Sequence, residues 1–281
     1  MSAGPPRPAS TVVLLQPADH GFEICLVRRH DEVAFMGGAH VFPGGRIDPA
    51  DRLPGPDACV GAAAAAGRLP DLPAEDAVGH CVGALRELFE EAGILIARPA
   101  CAGSLSPIDV SRVAGHRAAL AAGDTTLAEI AERERVRLDL SALLPFGHWV
   151  TPESEVKRYD VRFFMALAPV WEPLVHDQSE TIEAVWLRPA QAIDGCRSGE
   201  ILLAPPTWTT LRWLERFQTS DEALAWARAG HNWVVQPRLF ELEGSRMLAL
   251  PGDPLYPRVD GFEATETRFR FGDGRWRALE T

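Results

Sequence analysis

Three glutamates within five residues constrain this chain more than any other feature of its sequence. Residues 86–94 read RELFEEAGI. At about 100° per residue, a helix puts Glu87, Glu90 and Glu91 on one face, within an arc of roughly 100°. Like charges at this spacing repel each other by a few tenths of a kcal/mol. The trio therefore predicts either a solvated acidic face or a site where a divalent cation neutralises the carboxylates.

The rest of this helix is amphipathic, which supports a packed rather than an isolated helix. The pattern predicts a helix from Glu75 to Ala92, ended by Gly93. Arg86 lies one turn before Glu90 and is expected to pair with it. Gly83 lies on the acidic face, where we expect it to leave room for a ligand. The predicted buried face consists of Cys81, Leu85, Leu88, Phe89 and Ala92.

Composition narrows the class of protein. The chain has 281 residues and is 46% hydrophobic, enough for one large domain or one domain with a small appendage. Its net charge of -11 argues against binding nucleic acid. The five cysteines form no paired spacing, so they are read as small apolar filler and not as a disulfide framework. With no secretory signal and no run of about 18 apolar residues, we expect a cytoplasmic protein that does not enter the membrane.

Short apolar runs and turn residues predict the other elements. We expect a hairpin formed by residues 11–15 and 23–27 around a turn at 17–21, then a glycine-rich loop at 36–45. Residues 46–75 are expected to form an inserted excursion with a helical turn at 62–66. Further strands are expected at 94–97, 148–151, 161–169 and 183–187, helices within 108–140 and at 205–217 and 221–229, and a final hairpin from 267–271 and 275–279. Val113, Leu120, Leu127 and Ile130 are the core positions predicted within 108–140.

The segment 86–94 matches the second half of the Nudix box, R-E-U-x-E-E-x-G-U with U apolar, at every specified position. Gly45 resembles the glycine that opens that box, and residues 42–45 (FPGG) resemble the usual entry to it. The usual spacing places an acid after five residues and the arginine eight positions later. Here about 27 residues are inserted before Arg86, and four acids are candidates for the first box position: Asp48, Asp51, Glu75 and Asp76.

An interrupted box of this kind resembles the branch of the Nudix hydrolase family that contains the peroxisomal coenzyme A diphosphatase, called Nudix motif 19. Residues 148–152 (HWVTP), 157–164 (KRYDVRFF) and 180–187 (ETIEAVWL) resemble further motifs of that branch or of the family. The coenzyme A signature is met by Arg29, Gly38 and the FPGG run. Ala34 stands in place of its second arginine, and His30 in place of a small residue.

The resemblance implies the fold class and its organisation. It implies an α/β (α+β) chain, a Nudix-type α/β/α sandwich with a mixed sheet. We expect the Nudix domain to cover residues 1–218, with an insertion at 46–76 within the box and a helical insertion at 104–145. Residues 219–281 are expected to form a C-terminal extension packed on the same domain.

The resemblance also implies a hydrolase that cleaves pyrophosphate bonds with Mg²⁺ or Mn²⁺. The expected metal ligands are Glu87, Glu90, Glu91 and the backbone of Gly45. The expected catalytic residues are Glu87, Glu90, Glu91 and Arg86, with Glu180 as a further candidate for the general base. The expected substrate contacts are Arg29, Phe42, Gly44, Gly45 and Arg158. His40 and His80 are read as hydrogen-bonded bystanders, His80 on the acidic face of the helix.

Three functions are compared. The first is hydrolysis of coenzyme A or acyl-coenzyme A to 3',5'-ADP and (acyl-)phosphopantetheine. The second is hydrolysis of ADP-ribose, a dinucleotide or a nucleotide sugar, and the third is a non-catalytic ligand sensor with a Nudix fold. The intact second half of the box disfavours the sensor. The expected partner is a small nucleoside diphosphate derivative, with neither nucleic acid nor membrane, and the sequence leaves a homodimer open.

Overall fold

The computed structural model describes residues 4–30, 37–55, 57–100, 110–169, 181–231 and 233–279. Within them the strands are β1 Arg7–Ala18, β2 Gly21–Arg29, β3 Ala39–Val41, β4 Gly44–Arg46, β5 Cys59–Val60, β6 Ala97–Pro99, β7 Val136–Asp139, β8 Leu144–Val150, β9 Tyr159–Leu167, β10 Thr181–Leu187, β11 Leu202–Leu203, β12 Val234–Val235, β13 Arg238–Leu242, β14 Ser245–Ala249, β15 Arg268–Gly272 and β16 Arg275–Leu279. The α-helices are α1 Ala62–Arg68, α2 Ala74–Ala92, α3 Val110–Ala114, α4 Arg117–Ala121, α5 Leu127–Arg133, α6 Pro189–Ser198, α7 Pro205–Leu214 and α8 Ser220–Arg228.

A mixed sheet forms the centre of the molecule. Its strand order is β11-β3-β2-β1-β9-β8-β12, with β10 added to β2 and β4 added to β1. The β1–β2 hairpin is confirmed in antiparallel register with Leu15 opposite Ile24. Its turn is shorter than predicted, because β1 continues to Ala18 and β2 begins at Gly21. β1 runs parallel to β9 on its other side, so the sheet is mixed as the fold class requires.

Successive side chains of the central strands enter two separate cores, because strand residues alternate between the two faces of a sheet. Val12 and Leu14 lie in a first core that also contains the buried face of α2. Val13 and Leu15 lie in a second core with α7 and α8. Helices on both faces of a mixed sheet give the predicted α/β/α sandwich.

The helix predicted from Glu75 to Ala92 is confirmed as α2, and Gly93 ends it with a φ of 76°. All of its predicted apolar face is buried: Cys81, Leu85, Leu88, Phe89 and Ala92. Burial of this face fixes which way the opposite face points, so the acidic side of α2 is set by packing.

The segments on either side of α2 differ in part from the predictions. The glycine-rich loop contains two short strands, β3 and β4. The strand predicted at 94–97 is displaced, because residues 94–96 are buried ahead of the strand and β6 itself covers Ala97–Pro99. Residues 136–139 form β7 instead of ending a helix, since they pair with β5 and β6. The predicted core positions of the helical segment are all buried: Val113, Leu120, Leu127 and Ile130.

The C-terminal part adds a second, antiparallel sheet in the order β13-β14-β15-β16. The final hairpin is confirmed as β15 and β16, while β13 and β14 were not predicted. The helix α6 was also missed, although Pro189 at its first turn and Gly199 after its end are ordinary helix signals. Leu248 and Phe269 of this sheet are buried in the second core.

Two general expectations are also addressed by the structure. No described helix has the length and apolarity that crossing a membrane requires. Cys25, Cys59 and Cys81 are buried, as apolar filler should be, and Cys196 is partly buried; Cys101 lies outside the described residues.

Candidate active site

The acidic face of α2 opens onto a cavity of about 700 Å³. Glu87, Glu90 and Glu91 all line it. Glu91 is buried, while Glu87 and Glu90 keep part of their surface exposed. The three carboxylates predicted from helical spacing are therefore brought to one place, on a helix whose orientation is fixed by its buried opposite face.

Arg86 links two of these carboxylates to the rest of the site. Its Nη1 donates to Glu87 Oε1 at 3.0 Å and to Glu90 Oε2 at 3.1 Å. Its Nη2 donates to the backbone carbonyl oxygen of Arg46 at 2.6 Å. Burial lowers the pKa of Arg86, but the charges of Glu87 and Asp51 outweigh burial and raise it above its ordinary value. Arg86 thus stays charged and holds both glutamates by charge-assisted hydrogen bonds.

Asp51 is the acid that meets Arg86 from outside the helix. Arg86 Nε donates to Asp51 Oδ1 at 3.1 Å, although the two residues are 35 positions apart. Only 3% of the surface of Asp51 is exposed. Burial raises the pKa of this carboxyl, and the adjacent Arg86 opposes that shift. Five residues separate Asp51 from Gly45, so the ordinary spacing from the opening glycine to the first acid is kept.

The other candidates for the first acid are placed differently. Asp48 lies 3.7 Å from Arg86 and its side chain is 53% exposed. Asp76 pairs with Arg52 at 2.7 Å. Glu75 is exposed in the first turn of α2. Asp51 is the one of the four that is both buried and hydrogen-bonded to Arg86.

The Gly44–Gly45 backbone forms the wall opposite the glutamates. The Gly44 N–H donates to Glu91 Oε2 at 2.9 Å. A Cβ at Gly45 would lie 2.4 Å from Glu87 Oε1, far inside van der Waals contact. A Cβ at Gly44 would lie 2.4 Å from the Ser10 carbonyl oxygen. A Cβ would be crowded at both positions, by the Glu87 side chain at Gly45 and by backbone atoms at Gly44, which gives a physical reason for the glycine pair.

Other predicted residues line the same cavity, together with residues that the sequence did not single out. Arg29 and Phe42 are among the predicted ones. The Nε atom of Arg29 is buried without a hydrogen-bond partner in the described structure. The lining residues that no sequence motif indicated come from distant segments: Ser10, Thr11, Thr207, Leu239, Leu248 and Trp276.

Three predictions about single residues had different outcomes. Arg158 is not among the described residues that line the cavity. It donates hydrogen bonds to the carbonyl oxygens of Thr151 and Gly4 at 3.2 Å and 3.4 Å. Glu180 lies outside the described residues. The expectation that Gly83 leaves room for a ligand is wrong, because Ile47 and Asp51 fill that space, with a Cβ at Gly83 falling 2.7 Å from Ile47 Cδ1.

The two histidines are buried away from the carboxylates. His80 Nδ1 shares a hydrogen bond of 2.9 Å with Ser10 Oγ. Burial, reinforced by the charge of Arg162, lowers the pKa of His80 to about 4. Burial likewise lowers the pKa of His40, and its Nδ1 has no hydrogen-bond partner among the described residues. Neither ring lines the cavity.

The donor set at this site suits a hard divalent cation, because carboxylate and carbonyl oxygens are the ligands of Mg²⁺ and Mn²⁺. Within the described ranges, no three His, Cys, Asp or Glu side chains are already gathered closely enough to hold a metal ion. Arg86 lies between two of the carboxylates and forms ion pairs with both Glu87 and Glu90. The glycine wall against Glu87 and Glu91 leaves the carboxylates facing the cavity, so the residues present fit such a cation.

The chain is similar to known proteins over most of its length. A family model described as NUDT19 Nudix domain matches residues 56–214. A Homo sapiens protein named acyl-coenzyme A diphosphatase NUDT19 is 29% identical over 297 residues, which cover 91% of this chain and 78% of that protein. The Gallus gallus protein of the same name is 28% identical over 291 residues, which cover 86% of this chain and 74% of that protein. The crystal structure of a NUDIX hydrolase from Alicyclobacillus acidocaldarius superimposes with a TM-score of 0.64 at 25% identity, covering 79% of this chain and 96% of that one.

Proposed function

We propose, from the premise that this chain belongs to the NUDT19 Nudix domain family, that it hydrolyses the pyrophosphate bond of coenzyme A or an acyl-coenzyme A. Membership makes the chain a Nudix pyrophosphatase, an enzyme, so the non-catalytic sensor is set aside. The choice of coenzyme A is supported by the names of the relatives that cover most of the chain. The observation that carries the proposal is the set of three glutamates facing the Gly44–Gly45 wall inside one cavity.

The reaction requires water to attack one phosphorus of the P–O–P bridge, while the bridging oxygen leaves with the other phosphorus. The products from coenzyme A are 3',5'-ADP and phosphopantetheine. Nudix hydrolases generally use divalent metal ions, and such an ion, here Mg²⁺ or Mn²⁺, would neutralise phosphate charge and acidify the attacking water. Glu87, Glu90, Glu91 and the backbone carbonyl of Gly45 are the groups that would hold it.

Each remaining residue has a proposed role that its contacts support. Asp51 holds Arg86, and Arg86 orients Glu87 and Glu90. Such positioning matters because a small displacement of a reacting group lowers the rate steeply. Arg29 is proposed to contact a substrate phosphate, since it lines the same cavity and its Nε has no hydrogen-bond partner among the described residues. The general base is proposed to be one of the glutamates of α2 or a loop carboxylate, with Glu180 kept as a candidate.

Other substrates with the same pyrophosphate bridge remain to be separated by experiment. ADP-ribose, dinucleotides and nucleotide sugars present the same phosphate groups to the glutamates, and differ only in what lies beyond them. Four other expectations also stay predictions. They are the contact of Arg158 with substrate, a cytoplasmic location, a homodimer, and the domain division between residues 218 and 219.

A substrate panel tests the proposal. Coenzyme A, an acyl-coenzyme A, ADP-ribose and a nucleotide sugar would be incubated with the wild-type protein and Mg²⁺ or Mn²⁺, and products separated by chromatography. We expect cleavage of coenzyme A compounds, and a loss of about 100-fold or more in kcat/KM for Glu90→Gln, since several kcal/mol of charge stabilisation are removed. The matched control is Glu132→Gln, an exposed glutamate on α5 outside the cavity lining.

Two results would contradict the proposal separately. Cleavage of ADP-ribose with no cleavage of any coenzyme A compound would exclude the substrate. Equal activity of Glu90→Gln and Glu132→Gln would exclude the assignment of the glutamates.

A further inference from the structure

The cavity that contains the glutamates has a second wall of opposite character. We call it the apolar wall; it consists of Pro237, Leu239, Leu248 and Trp276, all of which line the cavity. These residues come from the C-terminal segment, which packs in the second core, whereas α2 packs in the first. The acidic and apolar linings are therefore supplied by different layers of the molecule, with the cavity between them.

The apolar wall is built on paired strands. Leu239 of β13 lies opposite Leu248 of β14. Leu248 is buried, while Leu239 and Trp276 are only partly buried and pack against the second core. Apolar surface that a folded chain leaves facing a cavity is surface that an apolar ligand group can cover.

Contacts of Arg246 connect this wall to the segment between β8 and β9. The guanidinium of Arg246 lies 5.9 Å from the ring centroid of Trp276. Arg246 also forms an ion pair with Glu155, a residue of the segment between β8 and β9 that lines the cavity too. The wall and this connecting segment of the central sheet are therefore in contact through Arg246.

We propose that the apolar wall binds the acyl chain of an acyl-coenzyme A, and so sets which chain lengths this enzyme prefers; this rests on the proposed function. The side chains of Pro237, Leu239 and Leu248 offer no hydrogen-bonding groups, and burying the polar edge of an adenine ring against them would leave donors and acceptors unpaired. An alkyl chain carries no such cost. The wall lies beyond residues 56–214, which the family model matches, so it belongs to the part of this chain outside that match.

The test is the dependence of kcat/KM on chain length, with free, acetyl- and octanoyl-coenzyme A as substrates. In the wild-type protein we expect kcat/KM to rise with chain length, by up to about fourfold for each methylene that the wall buries. Leu239→Asn keeps the size of the side chain but makes it polar. We expect it to lower the ratio of octanoyl- to free coenzyme A hydrolysis by about tenfold, the loss of one aliphatic contact surface. Because the ratio is taken within one protein sample, partial misfolding does not alter it.

A second substitution tests the same wall in the opposite way. Leu239→Trp should fill the space, so that octanoyl-coenzyme A hydrolysis falls while the ratio of acetyl- to free coenzyme A hydrolysis is kept. The matched control is Leu242→Asn on the same strand, where Leu242 is 44% exposed and outside the cavity lining; its ratios should equal those of the wild type.

The outcomes separate this inference from the proposed function. Cleavage of all three substrates with equal kcat/KM, or ratios in Leu239→Asn that match those in Leu242→Asn, would overturn the acyl-chain subsite and leave the coenzyme A assignment standing. Absence of cleavage of every coenzyme A compound by the wild-type protein would overturn both.

Discussion

Gly45 sets the position of the Glu87 carboxylate because it has no side chain. Its position is paired with Ser10 in the β1–β4 register, so its backbone is held in the sheet. The atoms that a Cβ would meet are the carboxylate atoms of Glu87, at 2.4–2.7 Å. Those atoms are the end of a flexible side chain and can move, whereas a Cβ at Gly44 would meet backbone atoms of Ser10 and Thr11 that cannot. Adjacent glycines therefore have different roles, one for the site and one for the fold.

This difference gives a prediction about alanine substitutions. Gly45→Ala should stay folded, with a thermal midpoint close to that of the wild type, and lose at least about tenfold in kcat/KM because a carboxylate is displaced from a site that depends on positioning. Gly44→Ala should instead lower the free energy of unfolding by about 1–3 kcal/mol through overpacking. Thermal unfolding by circular dichroism and the hydrolysis assay measure the two effects.

The control is Gly67→Ala in α1, where an added Cβ meets nothing within 4 Å. It should leave activity unchanged and, as an alanine in a helix, slightly raise stability. Full activity in Gly45→Ala would show that the Glu87 carboxylate needs no fixed position.

Among the elements, α2 is tied to β1 by a buried polar contact between His80 and Ser10. Ser10 is fully buried, and its hydroxyl is hydrogen-bonded to the His80 ring. The charged groups around His80 are Arg162, Asp160 and Asp76. Burial is the main cause that lowers the pKa of His80 to about 4, from an ordinary value of 6.5. The ring is therefore neutral in the folded protein where it would begin to protonate in the unfolded chain.

The sign of the resulting pH dependence follows from the lowered pKa. The unfolded chain binds a proton at His80 below pH 6.5, while the folded protein binds it only near pH 4. The contribution of the neutral His80 ring to the free energy of unfolding is thus fully present above pH 6.5 and is lost as the pH decreases through this window. We expect the loss of unfolding free energy between about pH 7 and pH 4.5 to be about 2 kcal/mol smaller in His80→Gln than in the wild type.

Urea unfolding at several pH values measures this difference. His20→Gln is the control, since His20 is exposed in the β1–β2 turn, and its pH profile should follow the wild type. Identical profiles for His80→Gln and the wild type would show that the ring is not held neutral by the fold.

At the scale of the whole molecule, the second core connects the C-terminal segment to the central sheet. Trp213 of α7 lies near Trp233 and Phe262, with ring centroids 5.1 Å and 5.4 Å away. Phe146 of β8 contacts Trp226 of α8 at 5.7 Å. Aromatic contacts of this kind make unfolding of one part expose the other. The C-terminal extension at 219–281, a division that stays a prediction, is therefore expected to unfold together with the rest.

Urea unfolding followed by two probes tests this cooperativity. Tryptophan fluorescence reports mainly on the second core and far-ultraviolet circular dichroism on helices such as α2, and we expect one shared midpoint. Phe269→Ala, at a residue only 2% exposed, should lower the free energy of unfolding by about 3–5 kcal/mol. Both probes should then report the same lowered midpoint. Leu255→Ala, at a residue 53% exposed, is the control and should change neither. A fluorescence transition that precedes the dichroism transition would indicate an independently unfolding C-terminal part.

The sequence by itself determined the features that depend on neighbours along the chain. The length of α2, its end at Gly93 and the shared face of Glu87, Glu90 and Glu91 follow from helix geometry, which relates residues three and four positions apart. The β1–β2 hairpin follows in the same way from alternation and a turn. The family resemblance rests on these same local patterns.

Only the tertiary structure decided which distant residues meet the glutamates. Four acids were open for the first position of the box, and packing of the inserted segment placed Asp51 against Arg86, where it also fills the space expected at Gly83. The residues of the apolar wall lie more than 100 positions after the glutamates in the sequence. The C-terminal sheet, of which the sequence predicted only the last hairpin, places them in the lining of the same cavity. Spacing along the chain does not encode such contacts, because the path of the loops and the burial of two cores determine which segments come together.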